Sequence, residues 1–196
     1  ARNALSINMM HQFLDVLNEL ISQCPRVLIV RGRHGHFCSG GDLRDVKEHL
    51  LFPEVGEEMS LYMTWVLSRI KALGCFIVVV IDGAAIGGGA ELAVLGDYIL
   101  ATRDAKIGFI QLNLGVTPGW GGAQRLIRRV GHTKAVQILT LGRIYSAEEA
   151  LQLGLIDQTS DSIEEDFSDL LTELLSKPAI SMRNLVQWMK QVEEEM

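Results

Sequence analysis

The chain has 196 residues, enough for one domain with a substantial core and short for two. Hydrophobic residues make up 48% and charged residues 21%, which suits a soluble, well-packed domain with apolar surface to spare for subunit contact. A net charge of -6 argues against a general nucleic-acid-binding surface, and apolar runs such as 76–81 fall far short of the ~20 residues needed to cross a bilayer. With no charged-then-apolar signal segment at the start, the expectation is a soluble intracellular protein with no membrane partner, cytoplasmic before mitochondrial. Cys24, Cys38 and Cys75 have neither metal-ligand spacing nor an even count, so we expect a reducing compartment, no disulfide framework and no metal site.

In chain order, Phe13, Leu14, Leu17, Leu20 and Ile21 recur at three- and four-residue intervals from Met10. Ser6 is placed to cap the start and Pro25 stands just past the end, which predicts an amphipathic helix. Residues 26–30 and 76–81 are compact β-branched runs bounded by Gly or Pro, and read as buried strands leading into glycine-rich turns. Between them, residues 51–56, with one Pro and one Gly, read as a mobile loop, and 57–72 as a helix. The pattern then predicts a helix near 89–95, a strand near 98–101, a helix near 123–130 and a mainly helical final third. Strands alternating with helices imply one α/β domain over residues 1–196, with parallel strand pairing. Arg31, Arg33, Arg44 and Lys47 are candidates for a local basic patch that meets an anionic cofactor.

Two glycine clusters follow the predicted strands. The first, His36-Phe37-Cys38-Ser39-Gly40-Gly41-Asp42-Leu43, reads on its own as a tight turn into a helix, with Asp42 helping the helix start. The second, Asp82-Gly83-Ala84-Ala85-Ile86-Gly87-Gly88-Gly89-Ala90-Glu91-Leu92, exposes consecutive N–H groups where an oxyanion could develop. Glu91 follows Gly88 by three residues, so one helical turn brings its carboxylate to the same face. On its own, Glu91 reads as a favourable partner of the helix dipole.

Together with Gly115-Val116-Thr117-Pro118-Gly119-Trp120-Gly121-Gly122, the motifs Ser39-Gly40-Gly41-Asp42-Leu43 and Gly87-Gly88-Gly89-Ala90-Glu91-Leu92 stand in the order and at the spacing of the crotonase (enoyl-CoA hydratase/isomerase) family. The likeness covers nearly the whole chain. The opening Ala1-Arg2-Asn3-Ala4-Leu5-Ser6 resembles the loop after that family's first strands, and the stretch from Gly142-Arg143 to Gly154-Leu155-Ile156 resembles its later helical segment. The resemblance implies a crotonase-like α/β fold, a spiral of β-β-α turns with C-terminal helices, assembled as homo-trimers or hexamers. It further implies that the first strands and the final helices of the family fall outside these residues. The implied ligand is a coenzyme A thioester, with no cofactor required beyond the coenzyme A carried by the substrate. By motif position, the N–H groups of Ser39 and Gly88 are implied to form an oxyanion hole. The backbone of Cys38, Ser39, Gly40, Gly41, Asp42 and Leu43, with Ile86, Gly87 and Gly88, is implied to line the coenzyme A pocket. Such donors work because a thioester oxygen becomes more negative in an enolate-like transition state than in the ground state.

The hydratases of this family work with two carboxylates, and the chain departs from them at the second. The first position is Glu91; the second, four residues before Gly115, is Gln111. An amide cannot take up a proton as a general base near neutral pH, so hydration and isomerisation lose a partner. Decarboxylation does not, because a neutral Gln111 tolerates a substrate carboxylate that a second Glu would repel. In this reading Glu91 orients the leaving carboxylate or an ordered water and assists reprotonation. Leu28-Ile29-Val30-Arg31-Gly32, Phe37-Cys38-Ser39, Val46-Lys47, Lys106-Ile107 and Pro118-Gly119-Trp120 resemble the branch that decarboxylates ethylmalonyl- and methylmalonyl-CoA. The expectation is a carbon-carbon lyase acting on a branched malonyl-type thioester. An enoyl-CoA hydratase or isomerase and a non-catalytic acyl-CoA-binding subunit stay open as alternatives.

His34, His36 and His132 read as exposed turn or capping residues. Trp120 reads equally as core packing and as a wall of the acyl pocket. Arg125, Arg128 and Arg129 recur at helical spacing and read as a solvated or intersubunit face, not a nucleic-acid site.

Overall fold

The computed structural model describes residues 2–23, 25–42, 44–45 and 53–195. Among these, the first helix α1 (Ile7–Gln23) begins directly after Ser6, which caps it as its position in the sequence predicts: its Oγ accepts the Met9 N–H at 3.3 Å. Met10 and Leu17 are buried on its inner face, with Phe13, Leu14 and Leu20 packed against the core. Strands β1 (Val27–Arg31), β2 (Phe76–Ile81), β3 (Ala84–Ile86), β4 (Tyr98–Thr102), β5 (Lys106–Gly108), β6 (Ile144–Ser146) and β7 (Gln158–Ser160) divide between two sheets. The first has the order β1-β2-β4-β7 and is parallel throughout. The second has the order β3-β5-β6, with β3 and β5 parallel and β6 antiparallel. Five of the six residues of β2 are buried, as a strand covered on both faces requires.

The chain passes from sheet to sheet and then through a helix. β2 leads through Asp82 and Gly83 into β3 and helix α3 (Gly88–Ala93); β4 leads into β5 and a 3₁₀ turn (Gln111–Leu114). The result is the α/β spiral of β-β-α turns, closed by helices α4 (Gly122–Val130), α5 (His132–Leu141), α6 (Ala147–Leu153), α7 (Ile163–Ser176) and α8 (Ala179–Glu195). Gly83 makes the first crossing at φ +64°, where a Cβ would lie 2.6 Å from the Gly35 carbonyl oxygen.

Three expectations change. Residues 53–56, read as part of a loop, open helix α2 (Pro53–Lys71), since proline at a first helical position lacks only an N–H that the first turn cannot use. Positions 51–52, with Cys24, Leu43, Val46 and Lys47, lie outside the described residues. The final third carries two strands besides its helices, β6 and β7, which at three residues each are too short to show a period of two. Arg31 is no open anion contact either: it is bonded to Asp82 at 2.8 Å and to Glu164 at 2.6 Å.

The two glycine clusters meet backbone to backbone. The Cys38 N–H donates to Ala84 O and the Ile86 N–H to Cys38 O, both at 3.0 Å, so the 38–41 turn extends the second sheet. On the far side, the Asp97 carboxylate ties three elements together. It accepts the Ile77 N–H at 2.8 Å and Lys71 Nζ at 2.5 Å, and lies 3.4 Å from Lys190 Nζ, which also donates to Leu73 O and Cys75 O. Burial holds the Lys190 ammonium below its ordinary pKa, with Asp97 pulling the other way.

Replacing Asp97 with Ala leaves two enclosed cations without their partner and should cost roughly 3–5 kcal/mol in denaturant unfolding. Because Lys190 is lowered in the folded state, the unfolded chain holds more protons between that lowered value and 10.5. Stability therefore gains a contribution from this group as pH rises through that window, and a Lys190→Met chain should lose the rise. A Cβ at Gly89 would lie 2.0 Å from the Cys38 carbonyl oxygen, whereas Gly56 has open space around it. Gly89→Ala should lower stability by about 2–3 kcal/mol, and Gly56→Ala should leave it unchanged or slightly raised. Thermal melting of the two variants side by side checks this.

Candidate active site

Ser39 and Gly88 are brought together by the contact between the glycine turns. A Cβ on Gly40 would stand 3.2 Å from the Gly88 nitrogen and 3.1 Å from Ile86 O, and Gly40 adopts φ +91°. Gly87 turns the chain at φ +59° so that Gly88 opens α3, and the Gly88 N–H meets no acceptor among the described residues. The Ser39 N–H donates to Arg2 O at 3.2 Å, while Leu5 bonds Gly40 and Asp42 on either side at 2.8 and 2.9 Å. Residues 2–5 thus run along the first glycine turn. Asp42 does help a helical start: its Oδ1 accepts the Arg44 N–H at 2.9 Å, and that bond, with the Arg44 guanidinium, lowers its pKa.

Glu91 sits one turn into α3 and is 2% exposed. Its Oε1 accepts Gln111 Nε2 at 2.9 Å and the Gly119 N–H at 3.1 Å; its Oε2 accepts the Trp120 N–H at 2.8 Å and the Gly122 N–H at 2.9 Å. A carboxylate offers about four lone-pair positions, so both oxygens are filled by protein N–H groups. The sequence reading has Glu91 orienting a leaving carboxylate or a water; in the structure its oxygens face the 119–122 backbone and Gln111. The amide of Gln111, buried at 7% exposure, is fixed by the same contact: Nε2 faces Glu91, and Oε1 is buried with no partner among the described residues.

Two carbonyls of this turn are also engaged. Gly119 O accepts Ser60 Oγ at 2.6 Å and Thr64 Oγ1 at 2.9 Å from α2, and Trp120 O accepts Arg125 Nη2 at 2.6 Å. The same Arg125 nitrogen reaches Glu91 O at 3.2 Å. Trp120 is buried, and its ring covers Gly88: a Cβ there would fall 2.5 Å from the ring. Packing and proximity to the site therefore coincide at this residue.

The arginine cluster is not a solvated face. Arg125 is 7% exposed, and burial, against the pull of Glu91, lowers its pKa to about 10. Arg129 donates to Leu155 O at 2.8 Å and pairs with Asp157, which leaves Arg128 as the exposed member. Helical spacing sets direction but does not reveal that the 119–122 turn and the 155–157 segment lie against two of the three positions. His34 and His132 are exposed, and His36 is half-buried beside Gly83. Burial raises the pKa of the Cys38 thiol, in accord with a backbone rather than nucleophilic part in this turn. Among the described residues no group of His, Cys, Asp or Glu is arranged to hold a metal, and no helix is long and apolar enough to cross a membrane.

The partners of Glu91 could be sought only in part from sequence. Gly119 and Gly122 signal close backbone approach, and a Cβ on Gly122 would in fact lie 2.4 Å from Glu91 Cγ. Nothing in the sequence signals that Gln111 would reach the same carboxylate.

Comparison with known proteins places the chain in a family. Ethylmalonyl-CoA decarboxylase of Rattus norvegicus is 38% identical over 189 residues, which is 93% of this chain and 63% of the relative. The Danio rerio ethylmalonyl-CoA decarboxylase is 38% identical over 157 residues, 80% of this chain and 52% of the relative. The chain thus spans between half and two thirds of the length of these curated relatives. Among solved structures, Pseudomonas aeruginosa AtuE superposes with a TM-score of 0.91 at 28% identity, covering 98% of this chain and 76% of that one. The family model described as enoyl-CoA hydratase/isomerase matches residues 1–196, and with the two glycine turns and the Glu91 helix in place the chain belongs to that family.

Proposed function

We propose that the chain processes acyl-CoA thioesters, and that its reaction is decarboxylation of a branched malonyl-type thioester such as ethylmalonyl-CoA or methylmalonyl-CoA. The observation that carries this reading is the place of Gln111: at 2.9 Å from Glu91, a neutral amide occupies the position where a hydratase would need its second carboxylate. Likeness to ethylmalonyl-CoA decarboxylases over most of the chain supports the substrate class.

The substrate thioester oxygen takes the N–H groups of Gly88 and Ser39, displacing the Arg2 carbonyl from the latter. The bond between the α-carbon and the carboxylate then breaks, carbon dioxide leaves, and the electron pair passes into the enolate whose oxygen those two donors hold. A proton from water at the α-carbon completes the product. Each backbone donor acts more strongly on the enolate than on the ground-state carbonyl, and one such donor is worth roughly 3–4 kcal/mol in the barrier. The coenzyme A runs along the turn of Cys38, Gly40, Gly41 and Asp42 and the neighbouring Ile86 and Gly87, and no further cofactor is required. Assembly as a trimer or hexamer belongs to the same proposal, supported by the exposed Ile180, Leu185, Trp188 and Met189 of α8.

Incubation with ethylmalonyl-CoA, methylmalonyl-CoA and crotonyl-CoA, read by mass spectrometry, should show loss of carbon dioxide from a malonyl-type thioester and no hydration of crotonyl-CoA. Hydration alone would make the chain a hydratase, and retained binding without turnover would make it a binding subunit. Gln111→Glu sets a second carboxylate against Glu91 and should reduce decarboxylation at least about tenfold, equivalent to ~1.4 kcal/mol in the barrier.

A further inference from the structure

Glu91 is the most completely bonded side chain in the site, and three of its four bonds go to backbone N–H groups of one turn. That turn carries Trp120, whose ring lies on the α-carbon of Gly88, the residue whose N–H meets no acceptor among the described residues. From these contacts we infer that Glu91 is a positioning residue: it holds Trp120 as a fixed wall against the Gly88 N–H and exchanges no proton with the substrate. The inference deepens the decarboxylase reading and rests on it only for its kinetic consequence.

Two arrangements support it. A proton added to either oxygen of Glu91 would meet an N–H already pointing at that oxygen, so proton transfer would first have to open the turn. The Gly119 and Trp120 carbonyls of the turn are bonded too, through Ser60, Thr64 and Arg125, so the turn is held from both sides. With Trp120 held there, an indole ring fills the Cβ side of Gly88, the residue that carries the N–H. Water is kept from that side, and the space left for the α-substituent of the acyl group is set by the ring. Trp120 is then the residue that selects substituent size, and Glu91 acts through it.

The test uses the full chain with Trp65 and Trp188, both half exposed to solvent, changed to Phe so that Trp120 alone reports. In Glu91→Gln, the new NH₂ group faces the Trp120 and Gly122 N–H groups in one orientation and the Gly119 N–H in the other, where only Gln111 can turn to accept it, so the clamp loses at least one backbone bond whichever way the amide turns. Acrylamide quenching of Trp120 should rise several-fold, and kcat should fall at least tenfold. The pH profile of kcat should keep the shape it has in the parent chain. Loss of one limb of that profile with Trp120 still shielded would make Glu91 a proton-transfer group and overturn the inference, as would unchanged quenching with unchanged turnover. If Glu91→Gln does not fold, Gly122→Ala displaces the same carboxylate by its Cβ without changing its chemistry, and the same rise in quenching is expected. Should no thioester be turned over by the parent chain, the decarboxylase reading fails while the quenching comparison still decides the role of Glu91.

Discussion

One buried carboxylate with four N–H donors organises the site. A charge taken out of water is tolerable only when its hydrogen-bonding capacity is filled, and here it is filled almost wholly by main chain. Bonds of this kind contribute ~1.5–3 kcal/mol each, and removing the acceptor would strand several donors at once. Because the donors lie on a turn far along the chain from α3, Glu91 makes that turn part of the same rigid body as the glycine cluster before it. Arg125 completes the unit from the other side. Its guanidinium bonds the carbonyls of Glu91 and Trp120, and the nearby carboxylate offsets part of the cost of enclosing its charge.

In the proposed mechanism, this arrangement leaves the chemistry to the backbone. The donors of Ser39 and Gly88 depend on where two turns lie, not on which side chains they bear, provided that glycine occupies the points of closest approach. Residues such as Gly40 and Gly89 are therefore constrained by space: each has main-chain atoms of the opposing turn where a Cβ would go. A fold that supplied electrostatic stabilisation in this way could change reaction by altering a few side chains, and in the proposed reading Gln111, bonded to Glu91, is such a side chain. Its amide keeps the bond to Glu91 that a carboxylate in its place could not make.

Much of the fold was legible in the sequence because its central elements are long enough to show a period. The amphipathic pattern of α1, the β-branched run of β2 and the β4 strand are local consequences of which residues must face the core. The second sheet was not legible. Its strands have three residues each, and they exist because the neighbouring chain is in register and not because of their own propensity.

The same division holds at the site. The glycine motifs, the Glu at its place in the helix and the missing second carboxylate are properties of sequence order, and they determined the family resemblance, the oxyanion candidates and the objection to hydration. Which atoms the Glu91 oxygens face, that Trp120 covers Gly88, and that two of three helically spaced arginines are enclosed were decided only by tertiary structure. The physical reason is that a side chain's local spacing fixes the direction in which it leaves its helix. What it meets there, and hence whether its charge is solvated, paired or clamped by main-chain donors, depends on segments that the fold brings from 20 to 34 residues away.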